Sequence, residues 1–194
     1  MRERTTRYVL LGALASRGAM TGYDLRRWVE TRLAGFWSES FGQIYPELHA
    51  LSAEGLVASA REGKGEGKPY RITASGRAAL AAWLAQPARA ERPRSEIQLK
   101  LTFGRHFGAD TARALLEAAR DGAAERLDKA RAAVAEARTA SGPTEEDRLF
   151  GLLALDRSRA LAEAELAWAE RSLAVVDALE ADGPPAALER LSGG

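Results

Sequence analysis

Side chains suited to covalent or acid–base chemistry are sparse in this 194-residue chain. Cysteine is absent, which removes a thiol nucleophile, a thiolate zinc site and a disulfide scaffold. The two histidines, His49 and His106, stand far apart, with no carboxylate signature beside either. No His-Glu-x-x-His pattern is present to hold a metal, and no Gly-x-Ser-x-Gly pattern to present a serine. The stretch Gly63-Lys64-Gly65-Glu66-Gly67-Lys68 looks like a phosphate loop, but Lys68 is followed by Pro69 where a P-loop needs Ser or Thr. The carboxylates Glu145, Glu146 and Asp147 fall at the start of a predicted helix, where they favour its dipole. The expectation is a protein that is no enzyme, with no catalytic residue, metal ligand or cofactor. What remains are groups that bind without reacting: Arg and Lys for phosphate, amides and hydroxyls for polar edges, aromatics for stacking.

The elements that must position those groups are helical for the most part. With 46% hydrophobic and 28% charged residues and a net charge of +1, the chain can bury a core and is not of disordered composition. No run approaches the roughly 18 apolar residues of a membrane span. The N-terminus lacks the pattern of a secretory leader. A cytoplasmic protein with no membrane partner is expected. Charge is unevenly spread: residues 1–87 carry twelve Lys and Arg against eight Asp and Glu, a net +4, and the remainder carries −3. The positive half has the sign that a phosphate-facing module needs.

Apolar spacing predicts three short helices first. One covers 6–17 with Val9, Leu10, Ala13 and Leu14 inward. The next follows Thr21 as N-cap, with Leu25, Trp28, Val29 and Leu33 inward and Arg26, Arg27 and Arg32 outward, a solvated face of which one residue can meet phosphate. The third starts near Ser38 or Ser40 and runs to about Glu54, burying Ile44, Leu48 and Leu51. The period then changes: Leu56–Arg61 and Tyr70–Thr73 read as two strands around a polar, glycine-rich tip. Thr73 or Ser75 caps a fourth helix that ends before Pro87. Residues 88–94 have linker composition, and 95–182 form a helical domain. A short helix from Glu96 to Arg105 exposes few of Ile97, Leu99, Leu101 and Phe103, and His106 beyond it is structural. Two long helices, 109–140 and 144–181, follow. Leu161, Trp168 and Val175, one heptad apart, predict a helix–helix seam. Two such helices carry more apolar surface than they can bury, so the surplus goes against the first domain or a second copy of the chain. Residues 183–194 read as a frayed, flexible tail.

Three helices, a two-stranded hairpin and a fourth helix describe a winged helix-turn-helix over residues 1–87. The fold class is mainly α, with an antiparallel helical dimerisation domain behind it. In that arrangement the third helix projects its solvent face, which fits a B-DNA major groove about 12 Å wide. Lys64 and Lys68 on the hairpin tip can pair with flanking phosphates, or they serve only to solubilise the loop.

Five strings, in order, cover about residues 6–86: Tyr8-Val-Leu-Leu-Gly-Ala-Leu14, Thr21-Gly-Tyr-Asp-Leu25, Ser40-Phe-Gly-Gln-Ile-Tyr-Pro-Glu-Leu48, Leu51-Ser-Ala-Glu-Gly-Leu-Val57 and Tyr70-Arg-Ile-Thr-Ala-Ser-Gly-Arg77. Together they resemble the PadR family of bacterial transcriptional regulators. The long helical pair is similar, in architecture and length, to the C-terminal domain of its subfamily with extended C-termini. The resemblance implies a homodimeric repressor that joins through its C-terminal helices, binds double-stranded operator DNA and responds to an unidentified small-molecule effector.

With Ile44, Leu48 and Leu51 inward, Gln43, Tyr45, Pro46, Glu47, His49 and Ala50 are left on or near the exposed side of the recognition helix, behind Ser40 at its start. Gln43 can read an adenine edge or bond a phosphate, Tyr45 can reach a phosphate, and His49 can donate to either. Tyr23 on the second helix can contact backbone. The alternative for Tyr23 and Tyr45 is a half-buried ring whose hydroxyl bonds within the domain. Trp168 either packs in the helical core or stacks on a planar effector. Two rival functions stay open: a winged-helix module for protein contact without DNA or ligand, and a DNA-binding regulator without an effector.

Overall fold

In the computed structural model, which describes residues 5–33, 37, 41–59, 67–89, 95–106, 108–140 and 144–192 (41 and 105 by backbone only), the chain divides into two units, 1–91 and 92–194.

The first unit is built on α1, Thr6–Arg17, whose Leu10, Leu11, Ala13 and Leu14 are fully buried. Leu11 takes the inward place expected of Val9, which is half-buried. Each such leucine contributes about 1.5–3 kcal/mol on leaving water. Helix α2, Gly22–Arg32, starts on a reciprocal cap: Thr21 Oγ1 accepts from Asp24 N at 3.1 Å, and Asp24 Oδ2 accepts from Thr21 N at 3.2 Å. Leu25 and Val29 are buried, and Trp28 packs against the core as expected. A 3-10 turn, Phe41–Gln43, leads into α3, Ile44–Ala53, which buries Ile44, Leu48 and Leu51. The α-helical part therefore starts later than the capping serines suggest. Its N-cap, Gln43, makes no side-chain capping bond, and Ser38 and Ser40 lie outside the described residues.

The pattern predicts two strands, and among the described residues the sheet has three, in the order β1-β3-β2. Strand β2, Val57–Ser59, pairs antiparallel with β3, Pro69–Ile72, with Val57 opposite Ile72 and Ser59 opposite Tyr70. The added strand β1, Met20–Thr21, pairs with the other edge of β3. Two residues are too few to show alternation. Helix α4, Ala74–Leu84, is capped by Thr73, whose Oγ1 accepts from Gly76 N at 3.0 Å and donates to the Gly55 carbonyl at 2.8 Å. A Cβ on Gly76 would overlap the Leu56 carbonyl oxygen, so only glycine lets α4 sit this close to the chain entering β2. Trp83 on α4 stacks on Tyr8, ring centroids 4.6 Å apart.

The second unit holds α5, Glu96–Thr102; a 3-10 turn, Gly104–His106; α6, Gly108–Thr139; α7, Glu145–Asp182; and α8, Pro184–Ser192. Helices α6 and α7 are antiparallel, since Arg113 meets Asp177 at 2.7 Å and Glu180 at 2.5 Å while Arg126 meets Glu165 at 2.7 Å. The Arg113 guanidinium is held further above its ordinary range, by its hydrogen bond to Glu180 first and to Asp177 second.

The buried row of α7 is Ala162, Ala169 and Val176, one residue beyond the predicted Leu161, Trp168 and Val175. On α6 the buried residues are Leu116, Ala123, Leu127 and Ala130. In this register Ala123 and Ala130 come level with Ala169 and Ala162, and small side chains let the axes approach closely. The heptad spacing was right and its phase was not. The larger residues flank the alanine row, and Leu161 is 53% exposed.

Two further expectations fail. Helix α5 leaves Leu99 and its C-cap Phe103 exposed, because they share one face at i,i+4 spacing, opposite the half-buried Ile97 and Leu101. The frayed tail is instead α8: Pro184 supplies a φ suited to a first helical turn, and Ala187 is buried.

Candidate nucleic-acid interface

The outward side of α3 follows from its inward side. At 3.6 residues per turn, burying Ile44, Leu48 and Leu51 places Pro46 and His49 opposite, with Gln43 and Tyr45 on the flanks. All four are exposed. Glu47 is not: it is 4% exposed, and Arg7 from α1 faces it, Nε to Oε1 3.5 Å. Assigning Ile44, Leu48 and Leu51 inward leaves Glu47 on or near the exposed side, but it is buried, and a nearby guanidinium offsets its desolvation. Arg7 also donates from Nη2 to Glu54 at 2.6 Å, and this bond is the main reason its guanidinium is held above its ordinary range.

Tyr45 lies against Gly22, the first residue of α2, where a Cβ would stand 2.5 Å from the ring Cε1. The ring is 39% exposed, and Tyr23 is 63% exposed. Among the described residues neither hydroxyl bonds within the chain, in contrast to the half-buried, internally bonded alternative. Next to Tyr23 on α2, Arg26 pairs with Glu30 at 2.9 Å, and Arg27 is exposed. A shallow hollow is lined by Tyr23, Arg26, Arg27, Glu30 and Thr31.

Of the hairpin candidates, Lys68 is half-buried just before Pro69 opens β3, and Lys64 lies outside the described residues, as does Ser40. The structure places Tyr45, Pro46 and His49 on α3, Gln43 at its N-cap and Tyr23 at the start of α2. Arg71 escaped attention in the sequence: Ile72 is buried and Tyr70 half-buried, so strand alternation turns the intervening arginine outward on β3. That alternation was the available signal. Trp168 is half-buried on α7, beside the alanine row instead of within it.

Among the described residues no group of three or more His, Asp or Glu could hold a metal ion, and no helix is long and apolar enough to cross a membrane.

Residues 10–82 match the transcriptional regulator PadR-like family, and residues 93–177 match the virulence activator alpha C-terminal family. The chain is 37% identical over 105 residues to the negative transcriptional regulator PadR of Bacillus subtilis, and 35% identical over 78 residues to the probable transcriptional regulator Rv1176c of Mycobacterium tuberculosis. These stretches cover 52% and 39% of this chain and 57% and 41% of the relatives, so the chain spans about half the length of the curated relatives it matches. The crystal structure of Bacillus subtilis PadR with operator DNA superimposes with a TM-score of 0.75 at 28% identity, covering 89% of this chain and 99% of that one. The same protein with p-coumaric acid gives 0.76 at 27%, over 90% and 99%. The Vibrio cholerae virulence activator AphA gives 0.72 at 28%, also over 90% and 99%. Both halves of the chain thus find their counterparts in one architecture, with a PadR-like transcriptional regulator domain over residues 10–82 followed by a virulence activator alpha C-terminal domain over 93–177.

Proposed function

We propose that this protein is a homodimeric, ligand-responsive repressor of transcription that acts on operator DNA in the cytoplasm. The observation that carries the reading is the exposed row on α3 and its N-cap, Gln43, Tyr45, Pro46 and His49, whose side chains make no hydrogen bond within the chain among the described residues. A helix with polar groups unspent on its own domain, next to exposed arginines on α2 and β3, has what major-groove docking requires. Tyr23, Lys68 and Arg71 supply backbone contacts, with Ser40 and Lys64 as further candidates. The solved complex of the similar Bacillus PadR with operator DNA supports the same assignment.

Dimerisation rests on surface. Leu149, Phe150, Leu153 and Leu161 on α7, Leu99 on α5 and Phe103 at its C-cap are each more than half exposed, an arrangement that a second copy would cover. Division of the chain into a DNA-binding part over 1–87, a linker over 88–94 and a dimerisation part beyond it belongs to the same proposal. An effector would act by favouring one of two dimer arrangements. Trp168, beside the α6 contact and partly exposed, is the aromatic best placed on α7 to stack on it. The solved complex of Bacillus PadR with p-coumaric acid supports a ligand-responsive role.

The test is fluorescence anisotropy with duplexes selected from random DNA by the purified protein. Gln43→Ala is expected to relax selectivity at one position by about 1–3 kcal/mol, and Lys68→Ala to weaken all sequences alike and lower the salt slope by about 1. Binding to selected and shuffled duplexes alike, unaffected by both substitutions, would contradict the reading.

A further inference from the structure

Among the described residues, an arginine of α1 holds the buried side of the recognition helix through two carboxylates. Arg7, from the first turn of α1, faces Glu47 in the middle of α3 at 3.5 Å and donates to Glu54 at the end of α3 at 2.6 Å. Its side chain is 23% exposed, Glu47's is 5% and Glu54's is 49%. The rest of the contact is made by Ile44, Leu48 and Leu51 against Leu10, Leu11 and Leu14. Apolar contacts of this kind are non-directional, and similar leucines can exchange places at little cost. A buried ion pair has the opposite character. It adds little net stability compared with apolar groups of the same size, but it is lost when its partners shift.

We infer that Arg7, through Glu47 and Glu54, sets the rotation of α3 about its own axis, and so is a positioning residue for sequence discrimination by Gln43, Pro46 and His49. The inference rests on the DNA-binding reading above. One residue of slip turns a helix by about 100°, which would carry Pro46 and His49 off the outward face and bring Glu47 towards it. Two anchors on one guanidinium, at mid-helix and at the C-cap, oppose both rotation and tilt. Exposed basic residues on α2 and β3 are outside this device, so sequence-independent attraction to phosphate does not depend on it.

The experiment compares wild type with the double variant Arg7→Met/Glu47→Met, which keeps apolar volume at the contact. Each is titrated against a duplex selected from random DNA by the wild type and against a shuffled duplex of the same composition, over a range of salt. The ratio of the two Kd values is expected to fall at least tenfold in the variant, while Kd for shuffled DNA stays within twofold and the melting temperature does not drop. A folded double variant with the wild-type ratio would overturn the inference and leave the DNA-binding reading standing. A wild type that does not discriminate would overturn that reading, and the inference with it. Should the double variant fail to fold, Arg7→Lys keeps a cation but not the fork that reaches both carboxylates. It is expected to lose part of the ratio, and an undiminished ratio there is equally contrary.

Discussion

The Tyr45 ring on α3 rests on Gly22, with Cε1 2.5 Å from the point a Cβ would occupy. The glycine that follows the cap of α2 is therefore also the seat of an aromatic on α3. Gly22→Ala must move the ring. Because the ring can swing into solvent, the cost to stability is about 1 kcal/mol. The larger effect is on DNA, where Kd for a selected duplex is expected to rise. Adding Tyr45→Ala to Gly22→Ala should cost little more, because both changes disturb one contact. Additive losses in a double-mutant cycle would separate the two.

Gly76 differs in what it touches. A Cβ there meets the backbone carbonyl of Leu56, which cannot rotate away, and Thr73 already ties that segment to the start of α4. Gly76→Ala is expected to cost about 3 kcal/mol, measured by urea unfolding of the full chain. Gly12→Ala, where nothing lies within 4 Å, serves as the control and should not destabilise.

The α6–α7 contact depends on small residues. Ala169→Leu places a branched side chain in a fully buried site level with Ala123, and should destabilise the second unit by about 1–3 kcal/mol. Leu161→Ala, at an exposed position one heptad earlier and one residue out of phase, should leave the melting temperature of a dilute sample nearly unchanged.

That difference marks how far the sequence could be read. The order of elements in the first unit was legible because each has a strong local signal: Thr21 and Thr73 as caps, the period-2 run at Tyr70–Thr73, and the glycine-rich stretch between strands. The α3 face was legible from Ile44, Leu48 and Leu51, but Glu47 was misplaced, since its burial depends on Arg7, forty residues earlier on α1. The phase of the α7 row was misread because large apolar side chains draw attention, whereas the packed positions are alanines. Strand β1 is defined by its pairing with Tyr70 and Pro69, and its two residues have no local pattern to announce it. Helix α8 was missed because two prolines and a glycine read as a breaker, although Pro184 can equally begin a helix.

Acid sensitivity follows from the carboxylates. Glu96 is held below the ordinary range by its hydrogen bond to Lys100 at 2.7 Å, and Glu125 likewise by Lys129 at 2.6 Å. A carboxylate whose pKa is lower folded than unfolded adds stability that is fully present above its unfolded value, about 4.3, and is lost as pH falls through the folded one. Both pairs are exposed, so the effect is small. Glu96→Gln/Glu125→Gln should lower the urea midpoint slightly at pH 7, and the difference should shrink as pH falls below the unfolded value. A difference that persists in acid would assign the effect to something other than charge.

The central claim is that two copies of α3 meet successive major grooves of one duplex. Selection of bound sites from random DNA by the purified full-length protein tests it most directly, because it returns half-site sequence and spacing together. The account predicts an inverted repeat with half-site centres about 10 base pairs, or 34 Å, apart. Recovery of unenriched sequence, or of a single half-site with no mate at fixed spacing, would contradict it.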